Sequence, residues 1–252
     1  MNARFGEAWD LLFHPPVAHR GLWTKDGAPE NSLAAFQAAC AAGYGIELDV
    51  QLSADGEAMV FHDSRLKRMT GAEGRLGDYT AAELSELRLA GSDERIPTLL
   101  ETLALVGRRA MIHAELKTPY GQVGPLEQRV HDLLIDHAGP VCVIGFNPYS
   151  HAWFAERFPG VLRGLDSYSY SGAIKPPEHL SEEQRQAFAR LEHVEIARPH
   201  FLALHIDMLP DERAAAFRAG GMPVVGWTVR EPAQWEAVRE HCDNLIFEGF
   251  AA

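Results

Sequence analysis

Cysteine is scarce in this chain: its 252 residues hold only Cys40, Cys142 and Cys242, far apart and without a C-x-x-C pair. An odd, scattered set argues against a disulfide framework or a zinc site, so a reducing, cytoplasmic setting is expected. Cationic surplus is missing as well, since 23 Lys and Arg stand against 35 Asp and Glu for a formal net charge of −12. No broad basic surface is left for nucleic acid or anionic lipid, and any anion must be met by a few placed cations. Long apolar runs are absent. The opening MNARFGEAWDLLFHPPVAHR offers only Leu11–Phe13, between Asp10 and Pro15, so no signal peptide, membrane-spanning helix or stable membrane insertion is expected. Without a tandem repeat, low-complexity tract or linker, residues 1–252 read as a single domain, its oligomeric state left open.

What the chain does have is alternation. Short strand-type runs recur at 16–21, 45–52, 57–63, 109–117, 141–147, 161–167, 201–209, 223–229 and 243–249. Helical segments such as SLAAFQAACAAG, PLEQRVHDLLIDHAG and DERAAAFRAGG, each closing on glycine, separate most of them. This pattern implies βαβ units, a parallel sheet and, at this chain length, a closed (β/α)8 TIM barrel. Nine runs are one too many, and the turn SADGE is too short for a crossover helix, so one neighbouring run is an extension. Residues 64–108, with Gly71, Gly74 and Gly77 followed by TAAELSELRL and IPTLLETLALVG, read as an insertion after the third strand.

Function in a parallel barrel gathers at the carboxyl ends of its strands. Four consecutive runs end in ionisable groups: His19 and Arg20, then Glu47 and Asp49, then His62 and Asp63, then Glu115 and Lys117. In GIELDVQLS the aliphatic Ile46, Leu48 and Val50 must face the surrounding helices, which turns Glu47 and Asp49 inward. The same count turns His113, Glu115 and Lys117 inward. Three carboxylates converging inside a barrel repel and resist desolvation, so they need a cation. Oxygen donors alone favour Mg²⁺ or Ca²⁺, and three carboxylates leave coordination positions for water or substrate. Each residue also has a plainer use taken singly: Arg20 or Lys117 pairing with an acid, Asn31 or Ser32 capping the helix near Leu33, Trp227 packing the barrel.

The ordered set H-R-G at 19–21, P-E-N-S at 29–32, E-L-D-V at 47–50, H-D at 62–63, I-P-T-L at 96–99, E-L-K at 115–117 and W-T-V at 227–229 resembles the glycerophosphodiester phosphodiesterases. Their barrel is similar to that of phosphatidylinositol phospholipases. The resemblance implies Glu47, Asp49 and Glu115 as ligands of one divalent ion, His19 and His62 as the acid–base pair, and Arg20 and Lys117 as phosphate contacts. It also implies substrate-side roles for Glu30, Asn31 and Trp227. The chain departs from the family pattern at Gly145-Phe146-Asn147, where a serine usually precedes the phenylalanine. It departs again at Arg230, where asparagine is common, and at Leu245–Phe250, where threonine, aspartate and proline are usual.

The expected reaction is hydrolysis of a small-molecule glycerophosphodiester to glycerol 3-phosphate and an alcohol. The phospholipase relation implies attack by a glycerol hydroxyl and a cyclic phosphate that water opens, with direct attack by water as the alternative. Either histidine can be acid or base, because the ordinary imidazole pKa lies near neutrality. Tyr168 and Tyr170 lie in DSYSYSGAIKPP, a loop placed to meet a leaving group or simply a surface loop. Competing readings are a lysophospholipase D acting on a mono-acylated substrate, a metal-dependent barrel aldolase, and a barrel that binds phosphorylated metabolites without turnover.

Overall fold

The computed structural model describes residues 5–170, 174 and 180–252. Its strands are β1 (Val17–Ala18), β2 (Gly45–Leu52), β3 (Ala58–Val60), β4 (Ile112–Leu116), β5 (Val141–Gly145), β6 (Leu162–Ser167), β7 (Phe201–His205), β8 (Val224–Val229) and β9 (Asn244–Phe247). Eight run parallel and close into a barrel, with β1 joining β2 on one side and β9 on the other. The surplus run is β3, which pairs antiparallel with β2 through Val50–Val60, Gln51–Met59 and Leu52–Ala58. It fits there because β1 is only two residues long and meets β2 only at Gly45 and Ile46, leaving the upper edge of β2 free.

Period-2 patterning decides what each strand face meets. Ile46, Leu48, Val50, Ile112, Ala114 and Leu116 pack outward in one buried cluster with Phe36, Leu103 and Val130 of the ring helices. Inward-facing Cys142, Ile144, Leu162, Ala203, Val225 and Ile246 join Trp9 and Leu12 of the N-terminal segment, which close the lower end. Full burial of a Leu or Ile side chain contributes about 1.5–3 kcal/mol, so these two layers hold the barrel shut. Ring-helix ends follow local chemistry. Ser32 accepts from the Ala35 amide to start Leu33–Ala42, and Gly43 ends it in the left-handed conformation, φ 78°.

Residues 61–97 form a satellite over the rim, with Phe61, Leu66, Met69, Leu76, Leu84, Leu89 and Ile96 as its own small core. It is shorter than the 64–108 excursion read from sequence, because Leu99–Val106 is a ring helix: Leu99, Leu103 and Val106 join the outer barrel cluster. Three other segments are cut back. TAAELSELRL forms one helical turn, Ala81–Leu84, since so short a helix survives only where packing holds it, and Leu84 and Leu89 turn into the satellite core instead. PLEQRVHDLLIDHAG stops being helical at Leu134, and the β7 run ends at His205, where a 3₁₀ turn over Ile206–Met208 takes over. Among the described residues no helix is long and apolar enough to cross a membrane.

Candidate active site

The carboxyl ends of the strands open into a cleft of about 860 Å³ lined by His19, Arg20, Glu47, His62, Glu115 and Lys117 on one side. A slightly larger concavity, about 930 Å³, runs along the helix Glu212–Ala219 and holds none of these groups. Register brings the acids together, since Asp49 of β2 stands beside Glu115 of β4 and Glu47 beside His113. One oxygen each from Glu47, Asp49 and Glu115 lies within 4.8 Å of the others, and all three residues are buried. The inward parity expected for them holds.

Electrostatics in the cluster are unbalanced. Lys117 Nζ reaches Asp49 Oδ1 at 2.8 Å and Glu115 Oε1 at 2.7 Å, and Arg20 Nε lies 3.5 Å from Asp49 Oδ2. Burial alone would push the Asp49 carboxyl up, but Lys117, His62 and Arg20 hold it far below the usual carboxylate range. At Glu47 the balance goes the other way: burial, then the charges of Asp49 and Glu115, outweigh Arg20 and Lys117 and push it well up. Its Oε2 accepts from the Arg20 amide at 2.9 Å, while its buried Oε1 has no hydrogen-bond partner among the described residues. A cation placed among the three acids would satisfy that oxygen and cancel the surplus negative charge, so the residues present fit a hard divalent ion.

The H-R-G motif owes its shape to two left-handed residues. Arg20 has φ 58°, which aims its N–H at Glu47 while its side chain turns toward Glu30 and Asp49. Gly21 follows at φ 80°, and a Cβ there would press on Ala35 and Phe36 at 2.9 Å, so only glycine fits. His19 is fixed by its amide, which donates to Phe247 O at 2.8 Å across the β1–β9 seam. Its Nδ1 lies 2.6 Å from Glu248 Oε2, and its Nε2 lies 3.8 Å from Glu47 Oε2. Burial is the largest influence on the His19 imidazole and lowers its pKa. His62 is more open, about one-third exposed, with Nδ1 2.8 Å from Asp63 Oδ1.

Glu30 and Asn31, expected on the substrate side, do not line the cleft. Both are buried behind the cleft wall. Asn31 donates from Nδ2 to Asp49 Oδ2 at 2.8 Å and accepts from the Asp49 amide at 3.3 Å, so it braces a member of the acid cluster. Glu30 accepts from Arg20 at 2.9 Å and from both terminal nitrogens of Arg68, at 2.9 and 2.6 Å. Arg68 also donates to Asp63 at 2.6 Å, so the satellite ties Arg20 and His62 into one network. The capping role belongs to Ser32, leaving the Asn31 side chain free for Asp49. Trp227 does line the cleft, with Nε1 donating to Ala203 O at 2.9 Å and its ring edge-on to Phe146 at 5.6 Å.

The matching family model is the glycerophosphoryl diester phosphodiesterase family, over residues 19–138. A glycerophosphodiester phosphodiesterase of Caldanaerobacter subterraneus is 33% identical over 177 residues, which is 66% of this chain and 70% of that protein. The chain belongs to the glycerophosphodiester phosphodiesterase family. Solved structures carry the same barrel. A phosphodiesterase of Oleispira antarctica, in complex with the product sn-glycerol-3-phosphate, superposes with a TM-score of 0.80 at 24% identity, covering 96% of this chain and 94% of that one. The glycerophosphodiester phosphodiesterase of Thermotoga maritima gives 0.68 at 28% identity, over 93% and 94%.

Within this family member, several cleft residues escaped the sequence reading. Asp166 on β6 is buried in the cleft wall, and burial, then the charge of Glu115, push its carboxyl well up. It alternates inward with Leu162 as Glu47 does with Asp49, a signal available in VLRGLDS. Arg68 had no signal, because its role depends on where the satellite folds back. Opposite the charged side, Tyr120, Phe146, Tyr168, Tyr170, Leu180 and Trp227 make an apolar wall. Of the loop DSYSYSGAIKPP, residues 171–173 and 175–177 lie outside the described residues, whereas Tyr168 and Tyr170 stack at 4.0 Å and belong to that wall.

Proposed function

We propose that the protein hydrolyses glycerophosphodiesters to glycerol 3-phosphate and a free alcohol, with Glu47, Asp49 and Glu115 holding one divalent cation and His19 and His62 moving the protons. The observation that carries this reading is the buried acid cluster with a Glu47 oxygen unpartnered among the described residues, flanked in one cleft by both imidazoles and two fixed cations. Family membership and the product bound to the Oleispira protein support the substrate class. The all-oxygen donor set suits Mg²⁺ or Ca²⁺. Bound there, such an ion would supply positive charge beside the non-bridging phosphate oxygens and acidify a nearby hydroxyl.

The chain's own groups do the remaining work. Arg20, already aimed by Glu30 and by its left-handed backbone, offers a planar two-point contact to phosphate, and Lys117 adds a point charge. Both are fixed in place before substrate arrives, so little reorganisation is needed as negative charge grows on the phosphoryl oxygens. One imidazole takes the proton of the attacking hydroxyl and the other gives one to the leaving oxygen. A release assay for glycerol phosphate from glycerophosphocholine and glycerophosphoethanolamine, run with Mg²⁺, Ca²⁺ or chelator, is expected to show turnover only with metal. His19→Ala and His62→Ala should each lose at least about 100-fold. Turnover in chelator, or near-normal rates in both variants, defeats the proposal.

The apolar wall favours a second reading, activity on a substrate with one acyl chain. Each methylene of an acyl chain buried there would contribute about 0.8 kcal/mol, a gain that the unacylated glycerol of glycerophosphocholine cannot make. Comparison of lysophosphatidylcholine with glycerophosphocholine decides: a kcat/KM higher for the acylated substrate supports it, and no hydrolysis of that substrate removes it.

A further inference from the structure

Two departures from the family pattern, Arg230 after W-T-V and Glu248 after the last strand, lie 18 residues apart in sequence yet meet in space. Arg230 Nε is 2.7 Å from Glu248 Oε1, and the other oxygen of the same carboxylate is 2.6 Å from His19 Nδ1. Backbone geometry fixes this juxtaposition. Ala18 and Phe247 are register partners across the barrel seam, so the residues that follow them, His19 and Glu248, leave side by side. The Glu248 amide donates to Val229 O at 3.0 Å, which holds it against the end of β8 just before Arg230. Side-chain exposure falls from 54% at Arg230 to 15% at Glu248 and 13% at His19, so the contacts run from the rim inward.

An ionised carboxylate only accepts hydrogen bonds, so an imidazole nitrogen 2.6 Å from it must carry the hydrogen. Burial would push the Glu248 carboxyl up, but the hydrogen bond and charge of His19, followed by Arg230 and Arg20, bring it down to about 2, and it stays an acceptor. With the hydrogen on Nδ1, the free nitrogen of His19 is Nε2, which is the one facing Glu47 and the cleft. We infer that Glu248 is a positioning residue for His19, holding its Nδ1–H tautomer and ring orientation so that Nε2 faces the substrate, with Arg230 clamping the carboxylate from outside. A rim ion pair that merely decorated the surface would leave the imidazole indifferent.

The inference rests on His19 being one of the proton-transfer groups, and the two can fail separately. Glu248→Gln, which can donate to Nδ1 and so support the wrong tautomer, is expected to lower kcat for glycerophosphocholine about 10- to 100-fold with KM within about twofold. In a His19→Ala background the same substitution should cost nothing further, because a residue acting through another adds no second loss. Long-range ¹H–¹⁵N spectra of the metal-free protein, with His19 assigned by its loss in His19→Ala, should show hydrogen on Nδ1 in the wild type. Arg230→Met, at an exposed position that keeps the fold, should lower kcat a few-fold and introduce a second tautomer population. Full activity in His19→Ala would remove the acid–base reading itself. Wild-type kcat in Glu248→Gln, an equal loss with and without His19, or hydrogen on Nε2 in the wild type would overturn the positioning role alone.

Discussion

Adding a divalent cation to metal-free protein interrogates the acid cluster without any turnover. Donor oxygens of Glu47, Asp49 and Glu115 lie within 4.8 Å of one another. At an effective dielectric constant of about 20, each charged pair at that spacing repels by on the order of 3 kcal/mol. Lys117 and Arg20 offset two of the three charges and leave one uncompensated, and burial together with that surplus pushes Glu47 toward its protonated form. A dication held at about 100 times its dissociation constant stabilises the folded state by about 2.7 kcal/mol. For a chain of this size each kcal/mol moves Tm by about 2–4 °C, so a rise of about 5–11 °C is expected. Calorimetry of chelator-treated protein titrated with Mg²⁺ or Ca²⁺ measures it, and the ion giving the larger rise at equal free concentration is the preferred one. Glu115→Gln should abolish most of the rise. Its melting point in chelator should stay within about 2–4 °C of wild type, since relief of repulsion offsets the weakened Lys117 contact. No rise with either ion, or an equal rise in Glu115→Gln, would refute the reasoning.

Asn31→Gly keeps the positive φ of 56° but removes the side chain that braces Asp49. The metal concentration that produces a given rise in Tm in the same calorimetric titration should increase about 10- to 100-fold, with substrate KM at saturating metal unchanged. Gly164→Ala tests the barrel interior, because its Cβ would overlap the Phe201 ring of the neighbouring strand. A loss of about 1–3 kcal/mol in denaturant unfolding is expected, and an unchanged midpoint would show the ring free to move aside.

How much of this was legible in the sequence follows from how far each decision is local. Period-2 alternation in GIELDVQL and RAMIHAELK assigned the inward acids correctly, because one strand alone determines which side chains share a face. The role of β3 as the surplus strand was readable from the turn before it, too short for a crossover. Boundaries were less legible. The helical pattern of TAAELSELRL is genuine, but the satellite core claims Leu84 and Leu89 from different directions, and tertiary packing overrides a propensity worth only tenths of a kcal/mol per residue. The contacts of Glu30 and Asn31 were illegible for a related reason. The motif P-E-N-S puts them near the site, but only the folded satellite, with Arg68 reaching back to Glu30, shows that they stand behind it.

Glu248 and Arg230 mark the limit of local reading. Seen along the chain they are only departures from the family pattern, 229 and 211 positions from His19. Closure of the barrel cancels that separation, because the strand that begins the sheet and the strand that ends it are neighbours. A carboxylate following the last strand is then as close to the first strand's histidine as Asp63 is to His62, 2.6 against 2.8 Å. The two imidazoles therefore meet carboxylates of opposite origin, one adjacent in sequence and one supplied across the seam. Only the second is clamped by an arginine outside the satellite network, so perturbing Arg230 should disturb His19 and spare His62, a difference the histidine nitrogen spectra can resolve within a single variant.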